Sequence, residues 1–190
     1  MPSTPPRPTA QPGPQPAPQS APLTATPWLS EHAAWLPTSG TALDVACGTG
    51  RHAVWLASRG LDVTAVDIDE RRVAALSNEA ARLGLPVHAA VRDLEGEAPG
   101  LGEDRYDVIV VVHYLHRPLF PALREALRPG GVLVYETFTT AQAVVGRPTN
   151  PQFLLEPGEL VGLVQPLDVV ASREGWFDGR YAAGVIARRR

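Results

Sequence analysis

The stretch ALDVACGTGRHAVWLA, residues 42–57, constrains the chain more than any other feature. Residues 42–46 form an apolar strand with one carboxylate, Asp44, inside it. Cys47-Gly48-Thr49-Gly50 is a turn, and from Arg51 onward Ala53, Val54, Leu56 and Ala57 recur at helical spacing. A strand, a glycine turn and a helix in one short run begin a βαβ architecture. The pattern then continues. Strands are predicted at 62–67, 87–91, 106–112 and 131–137, and helices at 51–59, 69–84 and 119–127. Strands built almost wholly of Val, Ile and Leu that alternate with helices indicate a parallel sheet covered on both faces, hence a doubly wound α/β domain. Two last strands, about 167–174 and 180–188 with DGR between them, read as an antiparallel hairpin closing an edge.

A chain of 190 residues suits one domain with a substantial core. Its single cysteine cannot form an internal disulfide, and no Cys/His spacing resembles a zinc site, so no metal is expected and the expected setting is a reducing one, the cytoplasm. No apolar run approaches the roughly 20 residues that span a bilayer, and no signal-peptide layout is expected at the start, so no membrane partner is expected. All 17 basic residues are arginine, which excludes Schiff-base chemistry and a Walker-type phosphate loop, because both require a lysine amine. A net charge of -3 with scattered arginines offers no basic stripe for a phosphate backbone, and no nucleic acid is expected as partner. Residues 1–22, rich in Pro, Gln, Ser and Ala, have almost nothing to bury and read as a disordered tail ahead of a single domain over 23–190. In TPWLSEHAAWLP, Thr26 is placed to cap a short helix, Pro27 suits its first position, and Trp28, Leu29, Trp35 and Leu36 share a face that fills the sheet's edge or closes over a ligand.

In open α/β sheets ligands bind beyond the carboxyl ends of the strands, so the residues that end strands carry the chemistry. Gly48 and Gly50 allow backbone to approach a ligand, and the helix opening at Arg51 presents unpaired N–H groups. Asp67 ends the second strand 23 residues after Asp44 (67 minus 44), where a carboxylate can accept both hydroxyls of a ribose. Asp93, after the third strand, can accept from an adenine amino group. Each has a plainer reading. Asp44 can cap the turn, and Asp67 can cap the following helix. A nicotinamide-dependent oxidoreductase also uses a glycine turn and a second-strand acid, but its G-x-G-x-x-G turn has Ala53 in its last place here.

Taken together, LDVACGTGRHAVWLASRGLDVTAVDID, RDLE, YDVIVVVHYLHRP and LRPGGVLVYET resemble class I S-adenosylmethionine-dependent methyltransferases in order and spacing, over roughly residues 28–190. CGTGRHAVWLASRG is similar to the small-molecule branch typified by tellurite-resistance methyltransferases. The resemblance implies a Rossmann-like, mostly parallel, seven-stranded sheet and S-adenosyl-L-methionine as cofactor, leaving as S-adenosyl-L-homocysteine. It implies that Gly48 and Gly50 contact the methionine part, Asp67 the ribose and Asp93 the adenine, with Asp44 orienting the turn or reaching the ammonium through water. Cys47 is a small turn-packing residue by the same resemblance, and Cys47, Arg51, Ile68 and Leu94 complete the cofactor-binding set. Ala46 departs from the family, many of whose members have a glycine there. The acceptor is expected to be a small molecule, such as a thiol or a chalcogen oxyanion, because the [DN]-P-P-[YF] tetrapeptide of amide and nucleobase methyltransferases is replaced by HYLH. In that tetrapeptide His113 is the candidate base, Tyr114 and His116 are candidate substrate contacts, and a histidine satisfied by backbone is the plainer alternative. The segment 137–160 is long for a connection and is expected to line the acceptor pocket, where Arg147 is a candidate anion contact or a solvated loop residue. A non-catalytic binding module of the same fold is the remaining alternative.

Overall fold

The computed structural model describes residues 24–96 and 100–190, so the expected tail over 1–22 lies outside the described residues. Seven strands form one sheet: β1 (Thr41–Val45), β2 (Asp62–Asp67), β3 (Val87–Val91), β4 (Tyr106–Val112), β5 (Leu127–Phe138), β6 (Asp168–Phe177) and β7 (Arg180–Arg188). Their spatial order is β3-β2-β1-β4-β5-β7-β6. β1 to β5 are parallel, whereas β7 runs antiparallel between β5 and β6. The hairpin therefore adds two strands to the sheet, and its second strand is the inner one.

Six helices accompany the sheet among the described residues: α1 (Pro27–Glu31), α2 (Arg51–Ser58), α3 (Glu70–Leu83), α4 (Phe120–Ala126), α5 (Gln142–Val145) and α6 (Glu159–Leu163). Alternation along each strand sends neighbouring residues to opposite faces. Leu43, Val45, Ile109, Val111, Leu133 and Tyr135 pack with Phe120 and Leu123 of α4 and Leu160 of α6. Ala42, Val108, Val110, Val132 and Val134 pack on the other face with Leu29 of α1, Leu56 of α2 and Leu76 of α3. Both faces of the central strands are buried, which is why those strands read as unbroken apolar runs.

Local chemistry sets the element ends. Asp69 caps α3, its Oδ1 accepting the N–H groups of Arg71 and Arg72 at 3.0 and 3.3 Å, and Gly84 ends the helix at φ 65°. The β6–β7 turn is Asp178-Gly179, with φ 51° and 78°, a type I′ geometry that closes the hairpin at the Phe177–Arg180 pair. Three expectations change. β5 begins at Leu127 rather than 131, since LRPG already runs beside Tyr106 before a register shift. β6 continues to Phe177 rather than 174. The first helix stops at Glu31 and passes into a 3₁₀ turn over Ala33–Trp35; Thr26 makes no side-chain cap bond, and Trp35 is exposed while Trp28, Leu29 and Leu36 are buried.

α1 sits on the sheet because Gly184 of β7 lacks a side chain. A Cβ there would stand 2.9 Å from the Trp28 ring. Arg173 of β6, the register partner of Gly184, lies 4.6 and 4.3 Å from the centroids of the Trp28 and Phe177 rings.

Candidate functional site

The turn after β1 is held by carboxylates that come from the strands. Gly50, at φ 76°, opens α2 without a capping side chain of its own. The missing acceptor is Asp44, buried within β1, whose Oδ2 takes the Ala53 N–H at 2.9 Å. Burial pushes the Asp44 carboxyl up to about 7, against the opposing pull of that N–H and of Arg51. The other side of the turn is tied to β2. Cys47 N–H donates to the Val66 carbonyl at 2.9 Å, and Gly48 N–H donates to Asp67 Oδ2 at 2.8 Å. Asp67 Oδ1 accepts the Asp69 N–H at 2.9 Å, so both carboxylate oxygens are oriented by backbone and each keeps acceptor capacity.

The two glycines serve different ends. At Gly50 a Cβ would collide with Leu76 of α3, so this residue lets α2 and α3 approach each other. At Gly48, φ 57°, the nearest atom to a Cβ would be Arg72 Nη1 at 4.0 Å, and that side of the backbone stands open. Ala46 also adopts a left-handed conformation, φ 52°, which suits the glycine many family members have there and costs an alanine about 1 kcal/mol. Cys47 is buried among apolar neighbours, and burial with Asp44 and Asp67 nearby pushes its thiol up, so it packs the turn as an unreactive group.

Beside the turn, at the carboxyl ends of β1 to β4, lies a cavity of about 480 Å³. Asp67, Ile68, Asp93, Leu94, His113 and Tyr114 line it, which brings six of the sequence-derived candidates to one place. Asp44, Cys47, Gly48, Gly50 and Arg51 are not among its lining residues. The Asp93 carboxylate accepts the Glu95 N–H at 2.9 Å, Leu94 is buried beneath it, and Ile68 is 68 % exposed, an apolar side chain open to the cavity. Sequence reasoning missed Ala46, Arg72, Arg92 and Glu95 as lining residues. Ala46, Arg92 and Glu95 adjoin candidates already named, and proximity to strand ends was the signal that could have found them; Arg72 lies one turn along α3 from Ile68.

His113, φ 59°, ends β4 at the far side of the cavity. Its ring stacks on Phe138 at 4.7 Å, and its Nε2 is 2.8 Å from Arg180 Nη1. A guanidinium only donates, so Nε2 accepts. Burial first, then Arg180 and Arg51, push His113 down to about 4. Glu136 Oε1 lies 4.0 Å from the same nitrogen, but Glu136 is paired with Arg173 at 3.1 Å. Burial raises the Glu136 carboxyl despite that arginine. His52, on the first turn of α2, is buried with Nε2 unpartnered and is pushed down to about 3 by burial and by Arg51 and His113. Tyr114 Oη is 3.4 Å from Glu95 Oε1.

Other candidates fall elsewhere. His116 borders a neighbouring cavity with Glu95, Arg117 and Phe153, and segment 137–160 reaches that cavity through Gln152 and Phe153 rather than lining the first. Arg147 is exposed, in keeping with the solvated reading. Arg180 and Arg173 were not singled out, whereas Glu136 lies in YETF, residues 135–138, which the sequence marks beside HYLH for substrate contact. Only the antiparallel placement of the hairpin brings residues 173–180 to the strand ends that matter.

The residues around the cavity fit S-adenosylmethionine: a bare backbone at Gly48, an oriented carboxylate at Asp67 and an exposed apolar side chain at Ile68 beside a second carboxylate. Comparison with known proteins agrees. A family model described as a methyltransferase domain matches residues 42–131. Ribosomal RNA small subunit methyltransferase B of Thermus thermophilus is 30% identical over 174 residues, covering 74% of this chain and 43% of that protein. This chain spans less than half the length of the curated relatives it matches. Among solved structures, TehB from Haemophilus influenzae superposes with a TM-score of 0.72 at 22% identity, over 84% of this chain and 61% of that one. An S-adenosylmethionine-dependent methyltransferase from Mesorhizobium loti gives 0.67 at 19%, over 84% and 96%. The sheet order with its inverted β7 differs from the all-parallel dinucleotide-binding order. Among the described residues, no helix is long and apolar enough to cross a membrane.

Proposed function

We propose, from the premise that this chain carries a methyltransferase domain with the class I S-adenosylmethionine-dependent fold, that it methylates a small-molecule acceptor by direct in-line transfer. One observation carries this reading: Asp67, Asp93 and Ile68 meet His113 and Tyr114 around a single cavity.

When bound, S-adenosylmethionine supplies a methyl group on a sulfonium that is already a good leaving group. The protein's task is then alignment, worth several kcal/mol when reacting atoms are held in line. In the proposed assignment Asp67 accepts the ribose hydroxyls, Asp93 the adenine amino group, and Ile68 and Leu94 contact the base. Gly48 and Gly50 pass the methionine part, with Cys47 packing behind it and Asp44 and Arg51 nearest its charged end. His113 and Tyr114 border the acceptor. The buried thiol of Cys47 suits a reducing, cytoplasmic setting.

A second reading, with ribosomal RNA as acceptor, is favoured by the name of the Thermus thermophilus relative. Against it stands the net charge of -3, poorly suited to a phosphate backbone. One experiment separates the readings. Binding of S-adenosylhomocysteine and of NADH is measured by calorimetry, and labelled methyl transfer is then followed to a small-molecule panel and to purified ribosomal RNA. Binding of S-adenosylhomocysteine with label in small molecules supports the first reading. Label in RNA alone supports the second, and binding of NADH alone overturns both.

A further inference from the structure

We infer that the methyl acceptor carries an organic ammonium group away from its nucleophile, and that it reaches from the first cavity into the neighbouring one, where the Glu95 carboxylate and the Phe153 ring receive that group. This rests on the proposed methyl transfer and names the chemical class of its acceptor.

The two cavities share Glu95. It lines the first, of about 480 Å³, and also the second, of about 290 Å³, whose remaining wall is residues 115–118 with Gln152 and Phe153. The chain makes the same passage, since Tyr114 lines the first cavity and the four residues after it line the second. Glu95 is oriented at this junction from two sides. Its N–H donates to Asp93 Oδ1 at 2.9 Å, and its Oε1 accepts from Tyr114 Oη at 3.4 Å. Burial, with Glu95 and Asp93 nearby, raises the Tyr114 phenol, which stays a neutral donor.

Phe153 is presented by a braced backbone. Arg117 Nη1 donates to the Gln152 carbonyl at 3.1 Å and Nη2 to the Leu154 carbonyl at 2.9 Å, so one side chain pins the residues before and after it. That guanidinium is itself clamped on Glu159, Nε to Oε1 at 2.6 Å and Nη2 to Oε2 at 2.8 Å. Asn150 Oδ1 accepts the Gln152 N–H at 3.0 Å and caps the 3₁₀ turn Pro151–Phe153. Despite this bracing the Phe153 ring is 47 % exposed. An aromatic side chain left open on a pinned backbone is a preorganised contact surface.

The charges of the second cavity do not cancel. Its arginine, Arg117, is taken up by Glu159, whereas Glu95 has no arginine or histidine nitrogen within 4.0 Å among the described residues. Arg72 and Arg92 line the first cavity only. A group entering the second cavity therefore meets a carboxylate and an aromatic ring, which together favour an organic cation and repel an anion. The ammonium is a spectator in the transfer: the nucleophile's electron pair forms the new bond to the methyl carbon, the carbon–sulfonium bond breaks with its pair going to sulfur, and the ammonium keeps its protons.

The test uses one nucleophile with three tails: 4-(aminomethyl)thiophenol is the cation, 4-(hydroxymethyl)thiophenol the neutral probe and 4-mercaptophenylacetate the anion, each attacking as the thiolate. With wild-type protein KM rises in that order. The cation is preferred over the neutral probe roughly 3- to 30-fold, the combined range of an exposed ion pair and a cation–π contact, and added salt narrows the preference. Glu95→Gln and Phe153→Leu each reduce it roughly two- to fivefold, and Phe153→Leu leaves S-adenosylhomocysteine affinity within about twofold. A second readout needs no turnover: in calorimetry on the S-adenosylhomocysteine complex, 4-methylbenzylamine binds more tightly than 4-methylbenzyl alcohol, and Glu95→Gln narrows the difference. Neutral or anionic probes bound as tightly as the cation, or a preference that survives both substitutions, overturn the inference, while intact S-adenosylhomocysteine binding leaves the methyltransferase reading standing. If no thiol is methylated, the calorimetric comparison decides. Failure of S-adenosylhomocysteine to bind removes the methyltransferase reading itself.

Discussion

Asp44 caps a helix that it does not precede: across the intervening turn, its Oδ2 accepts the Ala53 N–H at 2.9 Å and supplies the acceptor that Gly50 lacks. The arrangement places a carboxyl in an apolar interior, where burial holds it up at about 7 against an ordinary 3.8. Between those two values the folded state retains a proton that the unfolded chain has lost. This group therefore makes stability fall as pH rises from about 4 to 7, by about 1.4 kcal/mol per unit. Asp44→Asn keeps an oxygen for Ala53 and carries no charge, so it is more stable than wild type at pH 8 and nearly equal to it at pH 4. Urea denaturation at the two pH values checks this, and a wild-type advantage at pH 8 would count against it.

The two buried imidazoles act with the opposite sign. His52 and His113 are held down at about 3 and about 4 from an ordinary 6.5, so the unfolded chain takes up protons that the folded state refuses. Their contribution is full above pH 6.5 and is lost as pH falls toward 4. His52→Leu, which sacrifices no Nε2 hydrogen bond, flattens the acid limb of a plot of Tm against pH and changes stability at pH 8 by less than about 1 kcal/mol. An unaltered acid limb would locate the loss elsewhere.

On the proposed reading Asp67 has two duties that substitution separates. Asp67→Asn keeps one side-chain oxygen for the Gly48 N–H, leaves the Asp69 N–H without its acceptor and removes the charge, so S-adenosylhomocysteine affinity falls by roughly 1 to 3 kcal/mol while stability falls less than in the alanine variant. Asp67→Ala lowers both. Calorimetry paired with thermal melts distinguishes them; unchanged affinity in both variants would remove the ribose assignment.

The three left-handed positions of the turn predict three different outcomes. Gly50→Ala drives a Cβ into Leu76 and destabilises by roughly 1 to 3 kcal/mol. Gly48→Ala meets no close protein atom, costs only the roughly 1 kcal/mol of a left-handed alanine, and weakens S-adenosylhomocysteine binding. Ala46→Gly relieves a φ of 52° and raises stability by about 0.5 to 1 kcal/mol. Melting and binding curves for the three variants check the pattern, and equal destabilisation by Gly48→Ala and Gly50→Ala would erase the distinction.

How much of this was legible in the sequence depended on distance along the chain. Strands such as VTAVD and VIVVV announce themselves because both faces are buried, and the helix over Glu70–Leu83 lies between the two residues that cap it, Asp69 and Gly84. Asp67, Ile68, Asp93 and Leu94 could be named because a doubly wound sheet opens its crevice where those strands end, and all four line the cavity there. A cap of the turn was one reading of Asp44, but its partner could not be read, since the Ala53 N–H lies nine residues on and the bond exists only once the turn has folded. Arg180 was further out of reach. It meets His113 across 67 residues, through a hairpin whose inner strand is the second one, a placement that neither periodicity nor turn chemistry encodes. Thr26 had the right residue type for a cap, but its hydroxyl is buried without a partner while Pro27 and Trp28 settle where the helix lies.

The two-residue turn Asp178-Gly179 has an evolutionary corollary. The β6–β7 ladder is paired down to Phe177 and Arg180, so the tip can lengthen without moving the register of β7 on β5. β1, β2 and β3, with Asp67 and Asp93 at the cavity where β2 and β3 end, share no hydrogen-bonded edge with that hairpin. On the proposed reading, one end of the sheet handles the methyl donor and the other borders what receives it. Descendants of such a chain can acquire new acceptors by insertion at a single tip, with the donor half inherited unchanged.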